Sequence, residues 1–134
     1  MLINADERLD DLQYKGLYII QNPKYFCFGT DSVLLASFAS VKRTDRVIDL
    51  GCGTGILSIL INGRTGASVT GVDIQSKLVD MTIRSAIYNN QDGIKAMVMD
   101  MRDAPDALGH GSFDAAVCNP PYFNAVSYTH LRAH

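Results

Sequence analysis

The chain has 134 residues, 47% of them apolar, with 12 Lys and Arg against 14 Asp and Glu and a net charge of −2. That length holds one domain with its own core, no apolar run approaches the ~20 residues of a membrane span, and the mild acidity leaves no electrostatic footprint for nucleic acid over the chain as a whole. The amino terminus lacks the apolar centre of a signal peptide. Cys27, Cys52 and Cys118 are isolated and odd in number, which points to a reducing cytoplasm and to no metal site.

Residues 9–13 and 17–21 read as two short strands joined by a turn at Lys15-Gly16, and Pro23 closes the second. Phe26-Cys27-Phe28 leads into Gly29-Thr30-Asp31. Thr30 or Asp31 is a good N-cap for a helix from Ser32 to about Ser40 that buries Leu34, Leu35, Phe38 and Ala39. Both lie just ahead of the main strand, so a second role at a cofactor pocket is expected of them. Residues 47–50 form the first strand of the main sheet, and a helix follows over residues 55–61 with Asn62-Gly63 as its stop. Residues 68–72 are the second strand, ending at Asp73. Ser76 caps a helix reaching Asn90, with Val79, Ile83, Ala86 and Ile87 at helical spacing. Residues 95–99 are the third strand, ending at Asp100. Residues 103–111 are loop or a short helical turn, and residues 113–118 are the fourth strand, ending at Asn119-Pro120-Pro121-Tyr122-Phe123. Strands alternating with helices imply an α/β, mostly parallel, Rossmann-like sheet with right-handed crossovers.

Four chemical signals fall at four strand ends, the edge at which open α/β sheets carry their ligands. The first is Asp49-Leu50-Gly51-Cys52-Gly53-Thr54-Gly55. Its glycine spacing is not that of a dinucleotide fingerprint. An acid at the loop entrance suits a ligand carrying an ammonium or sulfonium charge, which shifts the cofactor from NAD towards S-adenosylmethionine. The second is Asp73, 18 residues after Gly55 and placed to accept from both hydroxyls of a ribose. A solvated strand-end acid is the competing reading. The third is Asp100, a candidate acceptor for the exocyclic amine of the cofactor's adenine, with Met101 as cover for the ring. A capping Asp is the alternative there, and Asp103 competes for the role.

The fourth signal is Asn119-Pro120-Pro121-Tyr122. Two prolines fix the backbone and remove two donors. The Asn119 side-chain oxygen and the Pro120 carbonyl can accept from one planar NH2 group, and Tyr122 can stack on its ring. Acceptors on both N–H bonds favour a pyramidal, more nucleophilic nitrogen and stabilise the charge that grows there. His110, His130 and His134 show no partner pattern, and the chemistry needs no metal.

These residues resemble a class I, S-adenosylmethionine-dependent methyltransferase of the N6-adenine type. The resemblance covers about residues 45–123. It implies a cofactor loop at residues 49–55, a ribose acid in Asp73, an adenine-contacting acid in Asp100, and a catalytic tetrapeptide in Asn119, Pro120 and Tyr122 with Pro121. The tetrapeptide also occurs in enzymes that methylate a glutamine amide of release factors. Glu7-Arg8-Leu9-Asp10-Asp11-Leu12, Ile19-Ile20-Gln21 and Phe26-Cys27-Phe28-Gly29-Thr30-Asp31 resemble the bacterial tRNA (adenine-N6)-methyltransferases that modify valine tRNA beside its anticodon. That implies tRNA as partner, no membrane and a cytoplasmic location. The alternatives are a protein glutamine-N5 methyltransferase and a non-catalytic nucleotide-binding fragment.

The division expected is an amino-terminal strand pair and lead-in (1–30), a partial methyltransferase domain (31–124) and a non-native tail (125–134). The tail does not resemble the family's continuation and looks like translated sequencing-adapter read-through. The fourth strand is therefore expected to keep an unpaired, apolar outer edge, leaving the chain marginal in stability and of little activity alone.

Overall fold

The computed structural model describes residues 3–25, 39–118 and 127–130, the last four through their backbone. Two sheets are present. Strands β1 (Arg8–Asp11) and β2 (Tyr18–Gln21) pair antiparallel, with Arg8 opposite Gln21. Their turn is tight: Gln13, Lys15 and Gly16 all take positive φ.

The main sheet is built from β3 (Arg46–Leu50), β4 (Ser68–Asp73), β5 (Ile94–Val98), β6 (Ala115–Cys118) and β7 (Ser127–His130), in the spatial order β5-β4-β3-β6-β7. The first four are parallel, as the alternation of strands and helices predicts. Val47, Val69, Val72, Ala115 and Val117 are almost fully buried, as strands covered on both faces must be. The chain runs from β3 outwards to β4 and β5, then returns to lay β6 on the other side of β3. The switch point therefore lies between β3 and β6, the place at which open α/β sheets carry their ligands.

Helix α1 (Ile56–Thr65) follows β3. Residues 56 to 61 are all buried, so this half of the helix is enclosed on every side. The helix does not stop at Asn62-Gly63. It ends at Gly66, whose φ of 79° supplies the left-handed cap and whose N–H bonds the Asn62 carbonyl. Gly63 is instead a packing glycine: a Cβ there would lie 2.5 Å from Leu17 Cδ1. Its bareness lets the start of β2 press against the helix.

Helix α2 (Ser76–Tyr88) follows β4. Ser76 does not cap it; the N-cap is Gln75, without a side-chain bond. Val79 and Ala86 are buried, but Ile83 and Ile87 are 40% and 62% exposed. The inward face is set instead by Leu78, Val79, Met81, Thr82, Ser85 and Ala86, because the β1–β2 ribbon also packs on α2 and rotates its buried stripe. Ser85 Oγ accepts from the Ile20 amide at 2.9 Å. Asn89, just past the helix, accepts from the Tyr18 amide and donates to its carbonyl at 2.9 and 2.8 Å. After β5 come a 3-10 turn (Met101–Asp103), which starts two residues before the loop expected at 103–111, and the short helix α3 (Ala104–Leu108), which lies within it.

The outer edge of β6 is not left open. β7 pairs with it antiparallel, from Ala115 opposite His130 to Cys118 opposite Ser127. An edge strand offers unpaired amides and carbonyls to any extended segment in reach, and Ser-Tyr-Thr-His satisfies them whatever its origin. The helix expected from Ser32 lies outside the described residues apart from Ala39 and Ser40. Ala39 is buried.

Candidate functional site

The strand ends align in register: Leu50 pairs with Val72 and Cys118, and Asp73 with Val98. The loops that follow β3, β4 and β5 consequently share one edge of the sheet. The glycine loop turns out of β3 through three left-handed glycines, Gly51, Gly53 and Gly55, at φ of 69°, 57° and 98°. Non-glycine residues adopt such angles rarely, so the alternation is a backbone requirement. The loop is tied to β4 through the Cys52 amide and the Val72 carbonyl at 2.9 Å.

Asp73 closes the adjoining loop. One carboxylate oxygen accepts from the Gly53 amide at 3.0 Å and the other from the Gln75 amide at 2.9 Å. The predicted ribose acid thus faces the glycine loop. Each of its oxygens retains acceptor capacity beyond the single amide it binds. Ile74, beside it, is 67% exposed. An apolar side chain directly after a strand-end acid is the sequence signal for this neighbour, which the reading of motifs alone passes over.

Asp49 lies beneath the loop rather than at an open entrance. It is 1% exposed. Oδ2 accepts from Ser58 Oγ at 2.7 Å, and Oδ1 has no hydrogen-bond partner among the described residues. Burial pushes its pKa up to about 7, against the opposing Ser58 bond and with a smaller push from the Asp73 charge. Ser58 was missed from sequence, yet it carried a signal: it is the polar residue within an otherwise apolar run, and a buried hydroxyl needs a partner.

Asp100 and Met101 divide in role. The Asp100 carboxylate caps the 3-10 turn by accepting from the Arg102 amide at 2.9 Å, and it also takes the Arg102 guanidinium, at 2.6 Å at its closest. Those bonds hold its pKa down at about 2. The capping reading describes its present contacts, although the Arg102 side chain is 85% exposed and such surface pairs are weak. Met101 reaches back over the loop, its Cε 3.4 Å from where a Cβ on Gly51 would sit. Asp103 is exposed, ends the 3-10 turn and stands at the N-cap of the short helix without a side-chain cap bond. Beside Met101 an apolar cleft of about 260 Å³ runs along Leu50, Pro105 and Phe113.

The structure thus brings together Asp49, Gly51, Gly53, Gly55, Asp73 and Met101. Thr30, Asp31, Asn119, Pro120 and Tyr122 lie outside the described residues. The last described residue of β6, Cys118, pairs with Leu50, one residue before the glycine loop. No cluster among the described residues has the make-up of a metal site, and no helix among them is long and apolar enough to cross a membrane.

A cationic nucleoside ligand passes two tests of fit here. A Cβ on Gly53 would meet nothing within 4 Å, so this glycine borders open space. Below the loop, Asp49 Oδ1 is a buried acceptor without a donor.

The family model described as the methyltransferase small domain matches residues 17–133. A tRNA1(Val) (adenine(37)-N6)-methyltransferase of Haemophilus influenzae is 31% identical over 115 residues, covering 82% of this chain and 48% of its own. The protein of the same name from Shewanella amazonensis is 36% identical over 100 residues, covering 70% and 40%. The chain therefore spans about half the length of the curated relatives it matches. Among solved structures, the geranyl diphosphate C-methyltransferase of Streptomyces coelicolor, in complex with Mg2+, geranyl diphosphate and S-adenosyl-L-homocysteine, superposes with a TM-score of 0.59. It is 26% identical, over 66% of this chain and 33% of that one.

Proposed function

Because the chain belongs to the methyltransferase small domain family, we propose that it is the cofactor-binding half of an S-adenosylmethionine-dependent enzyme that methylates N6 of an adenine in tRNA. The observation that carries this reading is the meeting of Gly53, Asp73 and Asp49 at the carboxyl ends of β3 and β4. One loop there presents an open glycine, a carboxylate beside it and an unpaired buried acceptor beneath it. The cofactor would supply a methyl group already activated by its sulfonium charge. Asp73 would hold the ribose, the glycine loop the amino-acid end, and Ile74 and Met101 the faces of the adenine. Asp100 would reach the adenine amine once the exposed Arg102 side chain moves aside.

Asn119, Pro120 and Tyr122 would carry the acceptor chemistry. Asn119 and the Pro120 carbonyl would each accept one N–H of the target amine, favouring the pyramidal nitrogen, and Tyr122 would stack on its ring. Positioning is the main task, since an aligned attack needs no further activation of the methyl group. The named relatives support tRNA as the acceptor. Thr30 and Asp31 would border the cofactor from the lead-in, and the location would be cytoplasmic.

The test combines binding with transfer. Calorimetry with S-adenosylmethionine should show one site, and Asp73→Ala should weaken it about tenfold or more, the loss expected for hydrogen bonds to a charged group. The parent enzyme, carrying this half together with its carboxyl half, would then be given methyl-labelled cofactor and either unmodified tRNA or a release factor. Label in N6-methyladenine is the expected result, and Asn119→Ala should lower mainly turnover. Label in glutamine would transfer the assignment to protein methylation, and absence of cofactor binding would overturn both.

A further inference from the structure

Helix α2 contributes Thr82, which is fully buried and belongs to no motif. Its hydroxyl has one proton and two carbonyls in reach, with Cys52 Sγ as a further hydrogen-bond neighbour at 3.9 Å. The Leu78 carbonyl, one turn back, is at 3.2 Å, and the Gly53 carbonyl in the loop is at 2.8 Å. A helical threonine ordinarily bonds its own helix, four residues back. Here the shorter bond leaves the helix for the loop.

Gly53 is thereby held at both of its backbone polar groups. Its N–H donates to Asp73 and its carbonyl accepts from Thr82, so both anchors come from the β4–α2 unit. Gly55 belongs to the same device. A Cβ there would lie 2.9 to 3.2 Å from three Thr82 atoms. The third glycine of the loop is therefore bare in order to admit Thr82, besides meeting its φ of 98°, whereas Gly53 is bare beside open space.

We propose that Thr82 is a positioning residue that, opposite Asp73, fixes the Gly53 peptide in the conformation that receives the cofactor. The proposal rests on the reading of this loop as the cofactor site. Thr82 touches no ligand; it acts by sparing the loop the ordering that binding would otherwise require.

The experiment compares Thr82→Val and Thr82→Ser in the full chain. Valine keeps the shape and removes the hydroxyl, and serine does the reverse. S-adenosylmethionine affinity should fall about tenfold in Thr82→Val, the scale of one lost buried hydrogen bond, and stay within about twofold of wild type in Thr82→Ser. Amide hydrogen exchange at Gly53 should accelerate about tenfold in Thr82→Val, with the β3 amides unchanged. Serine as harmful as valine would assign the effect to methyl packing and overturn the proposal. So would a valine variant with wild-type affinity and wild-type exchange at Gly53. Should Thr82→Val not fold, Thr82→Ala measured against Thr82→Ser decides, since the two differ by the hydroxyl alone: Gly53 exchange about tenfold faster in Thr82→Ala upholds the clamp, and equal exchange in the two overturns it. A wild-type chain that binds no S-adenosylmethionine would remove the functional reading, and the exchange data would still decide the clamp.

Discussion

Asp49 has one oxygen bonded to Ser58 and the other with no partner among the described residues. Burial raises its pKa from 3.8 to about 7, so the folded protein holds a proton that the unfolded chain releases between those values. Stability must therefore fall as pH rises through that window and level off above it. At roughly 1.4 kcal/mol per pH unit the ceiling is on the order of 4 kcal/mol. Urea titrations of wild type and Asp49→Asn at pH 4.5, 6 and 8 should show the decline in wild type and its loss in the variant, which stays neutral throughout. Equal slopes in the two proteins would mean that Asp49 ionises freely. The same carboxyl couples to ligand: a cationic group over the loop holds it ionised, so binding should strengthen towards pH 7 and then plateau. At this scale the sequence was readable where a backbone demand coincided with a motif, as at Gly51, Gly53 and Asp73. It was not readable where a side chain serves another element. Thr82 looks like any helical threonine until the loop carbonyl is seen 2.8 Å away.

The β1–β2 ribbon depends on α2 for its place. Arg84 donates to both oxygens of Glu7 at 2.6 and 2.7 Å and to Asp80 at 2.9 Å. The Glu7 and Arg84 side chains are only 4% and 15% exposed. The Arg84 bonds hold the Glu7 pKa below its ordinary 4.5. The stabilisation is accordingly complete above that ordinary value and is lost as pH falls through the lower folded one. Glu7→Gln should cost about 2 kcal/mol at pH 7, less than the ~3 kcal/mol of an isolated buried pair because Arg84 keeps Asp80. The penalty should shrink towards pH 3, and limited proteolysis should cut the ribbon first. A variant as stable as wild type at both pH values would show that the ribbon is held by Ile20, Tyr18 and their bonds to α2 alone. The elements themselves were legible because apolar runs and strand-end acids mark them. Their ends were less so. Gly63 reads as a stop from sequence, but it is spent on the close approach of Leu17, and only the neighbouring element reveals that.

For the whole molecule, strand order and site location follow from one another. The excursion from β3 to β5 and the return to β6 create the switch point, so the α/β pattern already placed the ligand edge. What the pattern did not convey was the far side of β6. The expectation of an open edge assumed that the last segment would contribute nothing, yet β7 pairs along all four residues of β6. Backbone hydrogen bonding is indifferent to side-chain identity, and the family match itself runs to residue 133 and so takes in β7. The pairing has a measurable consequence. β6 carries Ala115 and Val117 at under 2% exposure, and its outer edge without β7 is a template for a second chain. Removing residues 127–134 should make the protein scatter more light and elute earlier than the intact chain, increasingly so with concentration. The cooperative unfolding signal of α1 and β3–β5 should change little, because β7 pairs with β6 and with none of those strands. A truncated chain that stays monomeric at every concentration would show that the edge needs no cover, and that β7 occupies it without protecting it.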